Sequence, residues 1–340
     1  MRVLALTLCV AVGVCILAGC QRGAAGARGG KELLSVDFKQ GQLLRYKQIS
    51  EREVQLDFDP GGKISKGSDK GRIQTTTERL EIVVAYKPVK VDSRGFSTIE
   101  ATFEQVMPSR SSLSGQQSSS KDAVSYLQGK TITFTISASG MITDPCGLYE
   151  IVKKLGEEAF GGKGGKGIKD PDMIQDFMTL EWMMWDSTSS IKKPAQGVAV
   201  GQTWQSQLMT PMPMPMRIAR DTTYRLESVK EDANSVRIAD INSTYTLAEN
   251  APPPTVWPVP YSGSFQMRGV FGFLGGYKVL SIAGDGNERF NITAGRVERI
   301  NQQYQTNIAA EMPFGLGSGS DTTPTPNMVV RQKLSAELLN

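Results

Sequence analysis

The chain has 340 residues, with 38 basic and 34 acidic side chains, a formal net charge of +4 and no histidine. A charge so close to balance gives no reason to expect a nucleic-acid partner. The lack of histidine excludes His-based catalytic triads, HExxH metal sites and imidazole acid–base catalysis. We therefore predict no enzymatic activity, no cofactor and no metal site, and keep a hydrolase that uses only carboxylates or lysine as the alternative.

The first twenty residues have the features of an export signal. Arg2 is followed by an uncharged apolar run, residues 3–17, that is shorter than the roughly 20 residues of a membrane-spanning helix. The run ends in Leu17-Ala18-Gly19-Cys20, which resembles the lipobox of bacterial lipoproteins. The resemblance implies cleavage before Cys20, a diacylglyceryl group on its sulfur, and a membrane bound through acyl chains. An uncleaved signal anchor is the alternative, and Gln21 favours the periplasmic face of an outer membrane.

Cleavage before Cys20 would leave Cys146 as the only other cysteine of the mature chain. An intramolecular disulfide between two side chains of the body is therefore excluded. Cys146 follows Asp144-Pro145, the expected start of a helix, and we predict a small buried cysteine there. A thiol whose pKa is lowered by the helix N-terminus is the alternative.

The body begins after a tether, residues 20–31, whose glycine and alanine content predicts a flexible segment. Apolar and polar residues alternate through much of 32–143, which predicts antiparallel strands, one of them at 34–38. Asp92-Ser93-Arg94-Gly95 is a typical hairpin turn between two such strands.

Residues 144–193 have a helical pattern instead. Asp144-Pro145 and Asp170-Pro171 each combine an N-cap aspartate with proline at the first helical position. They predict one helix over 146–160 and another from 172 to about 185. The glycine and lysine-rich stretch between them lacks the spacing of a phosphate loop, so a solvated connector is expected.

The strand pattern returns over 194–340, which predicts a mainly β (α+β) fold of two antiparallel β regions with a helical pair inserted between them. Short motifs recur in the same order in both regions and indicate a weak duplication, with coincidence among hairpins as the alternative. The recurring motifs are 41–42 with 201–202, 79–81 with 225–227, and 134–140 with 290–295.

This order of features is similar to that of an uncharacterised family of bacterial lipoproteins with a lipobox, a Gly-Ala tether and a mostly β body. Leu17-Ala18-Gly19-Cys20, the Gly-x-x-Trp of residues 201–204 and the hairpin over 290–297 carry the resemblance, which implies no known activity. A more distant likeness is to the lipoprotein-carrier and mycobacterial lipoprotein group, in which a curved antiparallel sheet cups acyl chains against helices.

Two surfaces are candidates for a ligand or partner. Trp182, Met183 and Trp185 lie on a helix whose apolar arc is wider than a surface helix needs, and Met with Trp suits a pliable apolar surface. Burial of that helix in the core is the alternative. Trp257 and Tyr261 lie in a proline-stiffened loop and form the second candidate.

These features together predict an extracytoplasmic, membrane-anchored and non-catalytic lipoprotein. Its expected role is a binding or scaffold module of the cell envelope that recognises another envelope protein. A carrier or sensor of an apolar or lipid ligand is the first alternative, and the carboxylate- or lysine-based hydrolase is the second.

Overall fold

The computed structural model describes residues 30–60, 73–111, 122–160, 173–212, 218–248, 276–311 and 326–339. The predicted signal and lipid site at Cys20, the helix start at Asp170 and the surface at Trp257 and Tyr261 lie outside these residues. So do most of the predicted tether and the glycine-rich connector. Residues Lys31–Asn340 form one compact unit.

The described residues form thirteen β-strands and three α-helices. The strands are β1 Lys31–Glu32, β2 Leu44–Asp57, β3 Ile73–Val91, β4 Ser97–Arg110, β5 Thr131–Ile136, β6 Ile142–Asp144, β7 Val198–Ala199, β8 Thr203–Thr210, β9 Ile218–Glu231, β10 Arg237–Leu247, β11 Gly276–Asn291, β12 Arg296–Glu311 and β13 Asn327–Leu339. The helices are α1 Cys146–Phe160, α2 Ile174–Met183 and α3 Asp186–Ser189.

Eleven of these strands form a single antiparallel sheet in the order β6-β5-β4-β3-β2-β13-β12-β11-β10-β9-β8. The mainly β fold with a helical pair between two β regions is thus confirmed. The two regions share one sheet because the C-terminal strand β13 pairs with β2 on one side and with β12 on the other. Strands β1 and β7 form a separate antiparallel pair.

The hydrophobic core lies on one face of this sheet, which we call the inner face. Every second residue of β2 from Leu44 to Leu56 is buried, as alternation along a strand requires. Helix α2 contacts the central strands β2 and β13, and α1 contacts β5. Each apolar side chain buried between the helices and the sheet contributes roughly 1.5–3 kcal/mol.

Helix α1 has the predicted bounds and the predicted start. The Cys146 N–H donates to Asp144 Oδ1 at 3.1 Å, so Asp144 satisfies an amide of the first helical turn. The prediction of a buried cysteine is wrong, because Cys146 is exposed. Its hydrogen bond with Asp144 and the charge of that carboxylate raise the pKa of the thiol, which is the reverse of activation by the helix N-terminus.

The strand predicted at residues 34–38 is also wrong, although its alternating burial is real. Leu34, Val36 and Phe38 are buried, but the segment lies outside the large sheet. The Val36 N–H donates to the Ala138 carbonyl at 2.8 Å, and the next amide donates to the Gly295 carbonyl at 2.9 Å. The segment therefore joins the turns of two hairpins, β5–β6 and β11–β12, instead of pairing with a strand.

Candidate functional site

A continuous row of polar side chains crosses the inner face. Each of nine neighbouring strands, from β4 to β8 in sheet order, contributes one polar residue or glycine to this row. Each of these residues is paired in register with the row residue of the next strand. Such a row is unusual on a buried face, since each polar group there needs a hydrogen-bond partner. The residues are Arg110, Glu78, Arg52, Gln332, Tyr304, Gly284, Tyr245, Thr222 and Ser206.

Three carboxyl groups of the helical segment are bound to side chains of the inner face. Asp176 accepts from Ser50 at 2.5 Å and from Gln332 at 3.3 Å. Two further acidic residues follow at intervals of five. Glu181 accepts from the Tyr86 hydroxyl at 2.9 Å, and Asp186 accepts from Tyr224 at 2.6 Å and from Ser206 at 2.7 Å. The helices are thus joined to the sheet by directional contacts as well as by apolar packing.

A buried ion-pair cluster lies at the β2–β3 end of the polar row. Arg52 Nε donates to Glu78 Oε2 at 2.7 Å, and Arg52 Nη1 lies 2.9 Å from Asp176 Oδ2. Burial alone would raise the pKa of Glu78, but Arg52 and Arg110 outweigh it and hold the pKa below its usual range. The pKa of Asp176 is raised, because burial outweighs the charge of Arg52.

Three other buried carboxyl groups have pKa values near neutrality. Burial raises the pKa of Glu181 to about 7, although hydrogen bonds from Tyr86 and Gln48 offset part of this effect. Burial also raises the pKa of Glu288 to about 8 and that of Asp122 to about 7. Perturbed groups of this kind occur both at functional sites and in structural networks, so the contacts must decide between the two.

Arg220 of β9 is a buried cation of the inner face, and its charge lowers the pKa of Asp186 in part against the effect of burial. Its side chain has no exposed surface, and its guanidinium carbon lies 4.3 Å from the ring centre of Tyr245 and 4.6 Å from that of Tyr304. Nη2 donates to Gln302 Oε1 at 2.6 Å. Within the described residues, Nε and Nη1 have no hydrogen-bond partner and no carboxylate forms a salt bridge with Arg220. Two aromatic faces and one amide thus hold the cation in place.

Glycine 284 allows the two tyrosines to approach each other. Gly284 lies between Tyr304 and Tyr245 in the sheet, and the two rings are 5.8 Å apart in a T-shaped arrangement. A Cβ on Gly284 would collide with the Gln303 carbonyl and with Tyr304. The absence of a side chain on β11 at this level is therefore required for the aromatic pair that holds Arg220.

A second site, which we call the lysine pocket, lies at the β8 end of the sheet. It is a cavity of about 380 Å³ lined by Lys31, Lys192, Lys193 and Trp204, with Gln196, Gln202 and Gln205. Its lining contains no acidic residue. Within the described part of the chain, none of the three lysines has a salt bridge or a hydrogen bond through its side chain. The pocket therefore brings together three exposed lysines that have no ion pair among the described residues.

Two turns that contain proline or glycine adjoin the lysine pocket and contribute Gln196, Gly197 and Gln202 to its lining. Pro194 begins a 3₁₀ turn that ends at Gly197, which has φ of 65° and a carbonyl of Glu32 close to where a side chain would be. Gly201 has φ of 85°, and the following Gln202 accepts from the Ala199 N–H at 3.0 Å. These turns bring the β1–β7 pair, and with it Lys31, beside β8.

Trp204 forms a rigid aromatic part of the pocket. Its indole N–H donates to the Ser187 carbonyl at 2.8 Å, and its ring stacks on Tyr224 with centroids 5.6 Å apart. Since Tyr224 also donates to Asp186, the indole is fixed through two neighbours to α3. The ring is only partly buried, so one part of it faces the cavity.

The predicted apolar surface is mostly core, and its helix α2 ends at Met183 so that Trp185 lies between α2 and α3. Met183 and Trp185 are buried, and Trp185 contacts Tyr86 at 5.5 Å and Phe134 at 5.9 Å between ring centres. Trp182 is partly buried against the same core. For Met183 and Trp185 the packing alternative therefore describes the structure, whereas Trp257 and Tyr261 lie outside the described residues.

The sequence analysis missed both Arg220 and the lysine pocket. Arg220 follows an apolar pair in an alternating strand, and nothing local marks its side chain as buried. The Gly-x-x-Trp motif of residues 201–204 was noticed without a role, and Lys192-Lys193 before Pro194 was the other available signal. Lys31 could not be linked to them, because it is more than 160 residues away in the chain.

The described residues contain no group of three or more Cys, Asp or Glu side chains arranged to hold a metal ion. No helix among them is both long enough and apolar enough to span a membrane.

The fold and the lysine pocket define a β protein with one extended sheet, helices on its inner face and a cationic cavity at one end. A family model described as a family of unknown function (DUF6263) matches residues 78–251, or 174 of the 340 residues. The chain therefore belongs to this family.

A search of curated proteins found no match. Among solved structures, one is a lipovitellin described in terms of lipid–protein interactions, with 11% identity and a TM-score of 0.41, covering 89% of this chain and 26% of that one. The chain thus spans about a quarter of the lipovitellin chain. Another is an outer membrane channel from Pseudomonas putida F1, with 7% identity, a TM-score of 0.21, and coverage of 89% and 97%.

Proposed function

We propose that this protein is a non-catalytic, lipid-anchored binding module of the cell envelope, and that its lysine pocket binds an anionic partner. The observation that carries the proposal is the pocket itself, which is lined by three lysines that form no ion pair with any described residue and by no acidic side chain. All three lysines are exposed, so their ammonium groups are accessible to a ligand. Clustered positive charge raises the local concentration of anions.

The state of the helical segment favours a module that binds at its surface over a carrier of apolar ligands. Met183 and Trp185 are occupied by core contacts. Asp176, Glu181 and Asp186 are all hydrogen-bonded to the sheet, so lifting the helices would leave three buried carboxyl groups without partners. A cavity formed by such movement would be costly to open.

The proposal of a non-catalytic role is supported by the same contacts. A hydrolase that uses only carboxylates needs an acid and a base that can reach a substrate. The inward carboxyl groups of α2 and α3 are instead buried and held by tyrosine, serine and glutamine side chains. Their raised pKa values follow from burial and serve no reacting group that we can identify in the described residues.

Protection of lysines from acylation tests the proposed function. The full-length protein in mild detergent is treated with a water-soluble amine-acylating reagent, with pyrophosphate as the probe and with chloride at equal ionic strength as the reference. We expect pyrophosphate to slow acylation of Lys31, Lys192 and Lys193. Lys153 and Lys154, exposed on α1, are the internal controls and should react at the same rate in both. If each of the five lysines reacts at the same rate in pyrophosphate as in chloride, the proposed pocket is refuted.

A carrier of an anionic ligand is the second candidate, and Arg220 is the observation that favours it. The hydroxyl of Tyr304, whose ring lies beside this cation, has no hydrogen-bond partner among the described residues, and the same is true of Thr222 and Thr306 on the same face. A carboxylate or phosphate head group would satisfy several of these donors at once. Native mass spectrometry of the full-length protein tests this candidate. If it is correct, the wild type carries a bound ligand mass that Arg220→Met lacks.

A further inference from the structure

We propose that the anionic partner of the lysine pocket is the phosphate group of membrane lipids, so that the protein binds the surface of its own membrane through this pocket. The inference rests on the proposed function, in which the pocket binds anions and Cys20 carries a lipid. The ligand would then be a lipid phosphate, and the lysine pocket would face the membrane.

The charge of the lining suits a phosphate group. Every charged residue in the pocket lining is lysine, and the nearby Arg237 is held by Glu32 at 2.6 Å. Lysine is a common phosphate ligand and binds it as a point charge. Lysine also pairs with carboxylates, so the preference for a lipid phosphate over an acidic peptide rests on Trp204 and on the predicted anchor.

The aromatic part of the pocket suits the interface of a bilayer. Tryptophan is enriched where apolar acyl chains meet polar head groups, because its ring is apolar and its N–H is polar. Trp204 is partly buried and its N–H is already bound to Ser187, which leaves the outer part of the ring free to contact lipid. Lysine and tryptophan together thus offer one contact for the phosphate and another for the upper acyl chain.

The number of residues between Cys20 and Lys31 sets an upper limit on the distance between the pocket and the proposed anchor. Lys31 follows Cys20 by eleven residues, which span no more than about 40 Å when fully extended. Charges attract an anionic surface only within a Debye length, about 8 Å at physiological ionic strength. A tether of this length lets the pocket reach that layer, and each lysine there strengthens attachment about fivefold.

Acylation on vesicles of defined composition tests the inference. The full-length lipidated protein is added to vesicles of phosphatidylcholine alone or mixed in equal parts with phosphatidylglycerol, and acylation of each lysine is measured by mass spectrometry. We expect Lys31, Lys192 and Lys193 to react about fivefold more slowly on the vesicles that contain phosphatidylglycerol. The rates at Lys153 and Lys154 should not change.

A pair of matched variants separates the pocket from general charge. Lys192→Gln/Lys193→Gln should abolish the protection of Lys31 on these vesicles, and Lys153→Gln/Lys154→Gln should leave it intact. Adding high salt should remove the protection, since exposed charges are screened.

The possible failures are distinguishable from one another. Flotation with phosphatidylcholine vesicles reports the lipid anchor alone. Protection by pyrophosphate in detergent, without any difference between the two kinds of vesicle, would leave the proposed function standing and overturn this inference. The same holds if an acidic peptide protects the three lysines and phosphatidylglycerol does not.

Discussion

The guanidinium of Arg220 lies over the ring of Tyr245, 4.3 Å from its centre, at a position with no exposed surface. A buried cation without an ion pair has lost its hydration, and the aromatic contacts and the more distant charge of Asp186 offset only part of that loss. Replacing Arg220 by an apolar residue of similar size should therefore not destabilise the protein, although most substitutions in a core do.

We expect Arg220→Met to be within about 1 kcal/mol of the wild type in free energy of unfolding, or more stable, because Met fills the space between the tyrosines without a charge. Arg220→Ala should lose about 2–4 kcal/mol through the cavity that it leaves. Urea denaturation measures both. If the Met variant loses as much as the Ala variant, the charge itself stabilises the fold.

Gly284 and Gly156 give opposite predictions for the same substitution. A Cβ at Gly284 would collide with Tyr304, so Gly284→Ala should lower the free energy of unfolding by about 1–3 kcal/mol or more. Gly156 lies within α1 with no atom near the position of a Cβ, so Gly156→Ala should raise it by about 0.5–1 kcal/mol. Thermal unfolding compares the two, and equal shifts would contradict the packing described around β11.

Stability should fall with rising pH because of Glu288. The pKa of this residue is about 8 in the folded protein and about 4.3 in an unfolded chain. Below the unfolded pKa, the contribution of Glu288 to stability is fully present. It is lost as pH rises through the folded pKa, because between the two pKa values the unfolded chain releases the proton and the folded protein keeps it.

Glu288→Gln tests this dependence, because the amide keeps an acceptor for the Ser187 hydroxyl, which lies 2.7 Å from the carboxylate, and cannot ionise. The wild type should lose stability relative to this variant between about pH 5 and pH 8, by on the order of a few kcal/mol. Glu157→Gln, on the exposed face of α1, is the control and should show no such difference. A constant difference between wild type and Glu288→Gln across this range would show that Glu288 stays ionised.

Much of the fold was predictable because short segments determine it. The Asp92 turn, for example, forms its hairpin with two main-chain amides bound to its own side chain, Arg94 N–H and Phe96 N–H, both at 2.9 Å. Asp232 forms the same contacts with Asn234 N–H and Val236 N–H. Such turns depend only on neighbouring residues, so the sequence predicts them well.

The recurring motifs agree with the structure only in part, and duplication stays a prediction. Gly41 and Gly201 have φ of 80° and 85°, and their N–H groups donate to the carbonyls of Pro88 and Leu226 at 2.8 and 2.7 Å. The match of residues 41–42 with 201–202 thus has a common geometry. The match of 79–81 with 225–227 has no common geometry. It would align Leu226 with Leu80, but the hydrogen bond from Gly201 to Leu226 corresponds to the one from Gly41 to Pro88.

The single sheet and the lysine pocket were beyond local pattern. Strand β13 pairs with β2 across more than 270 residues of sequence, and alternation is the same whichever strand lies beside it. Lys31 and Lys193 likewise meet only because β1 pairs with β7. Long-range pairing of this kind leaves no signal in one sequence.

Lipid attachment at Cys20 remains a prediction of the sequence, and it can be measured directly. Cells that express the wild type should incorporate an alkyne fatty acid into the protein and retain it in the membrane fraction. Cys20→Ser should incorporate none and should not be processed. Normal processing and equal membrane retention of the Ser variant would contradict a lipid anchor.

The central claim is that the lysine pocket binds an anionic group, and calorimetric titration of the full-length protein with pyrophosphate tests it most directly. We predict that Lys192→Glu/Lys193→Glu weakens binding at least about tenfold, or 1.4 kcal/mol. Lys153→Glu/Lys154→Glu changes the net charge equally on exposed α1 and should leave the affinity within about twofold. Equal affinities for wild type and the pocket variant, or equal losses in both variants, would contradict the claim.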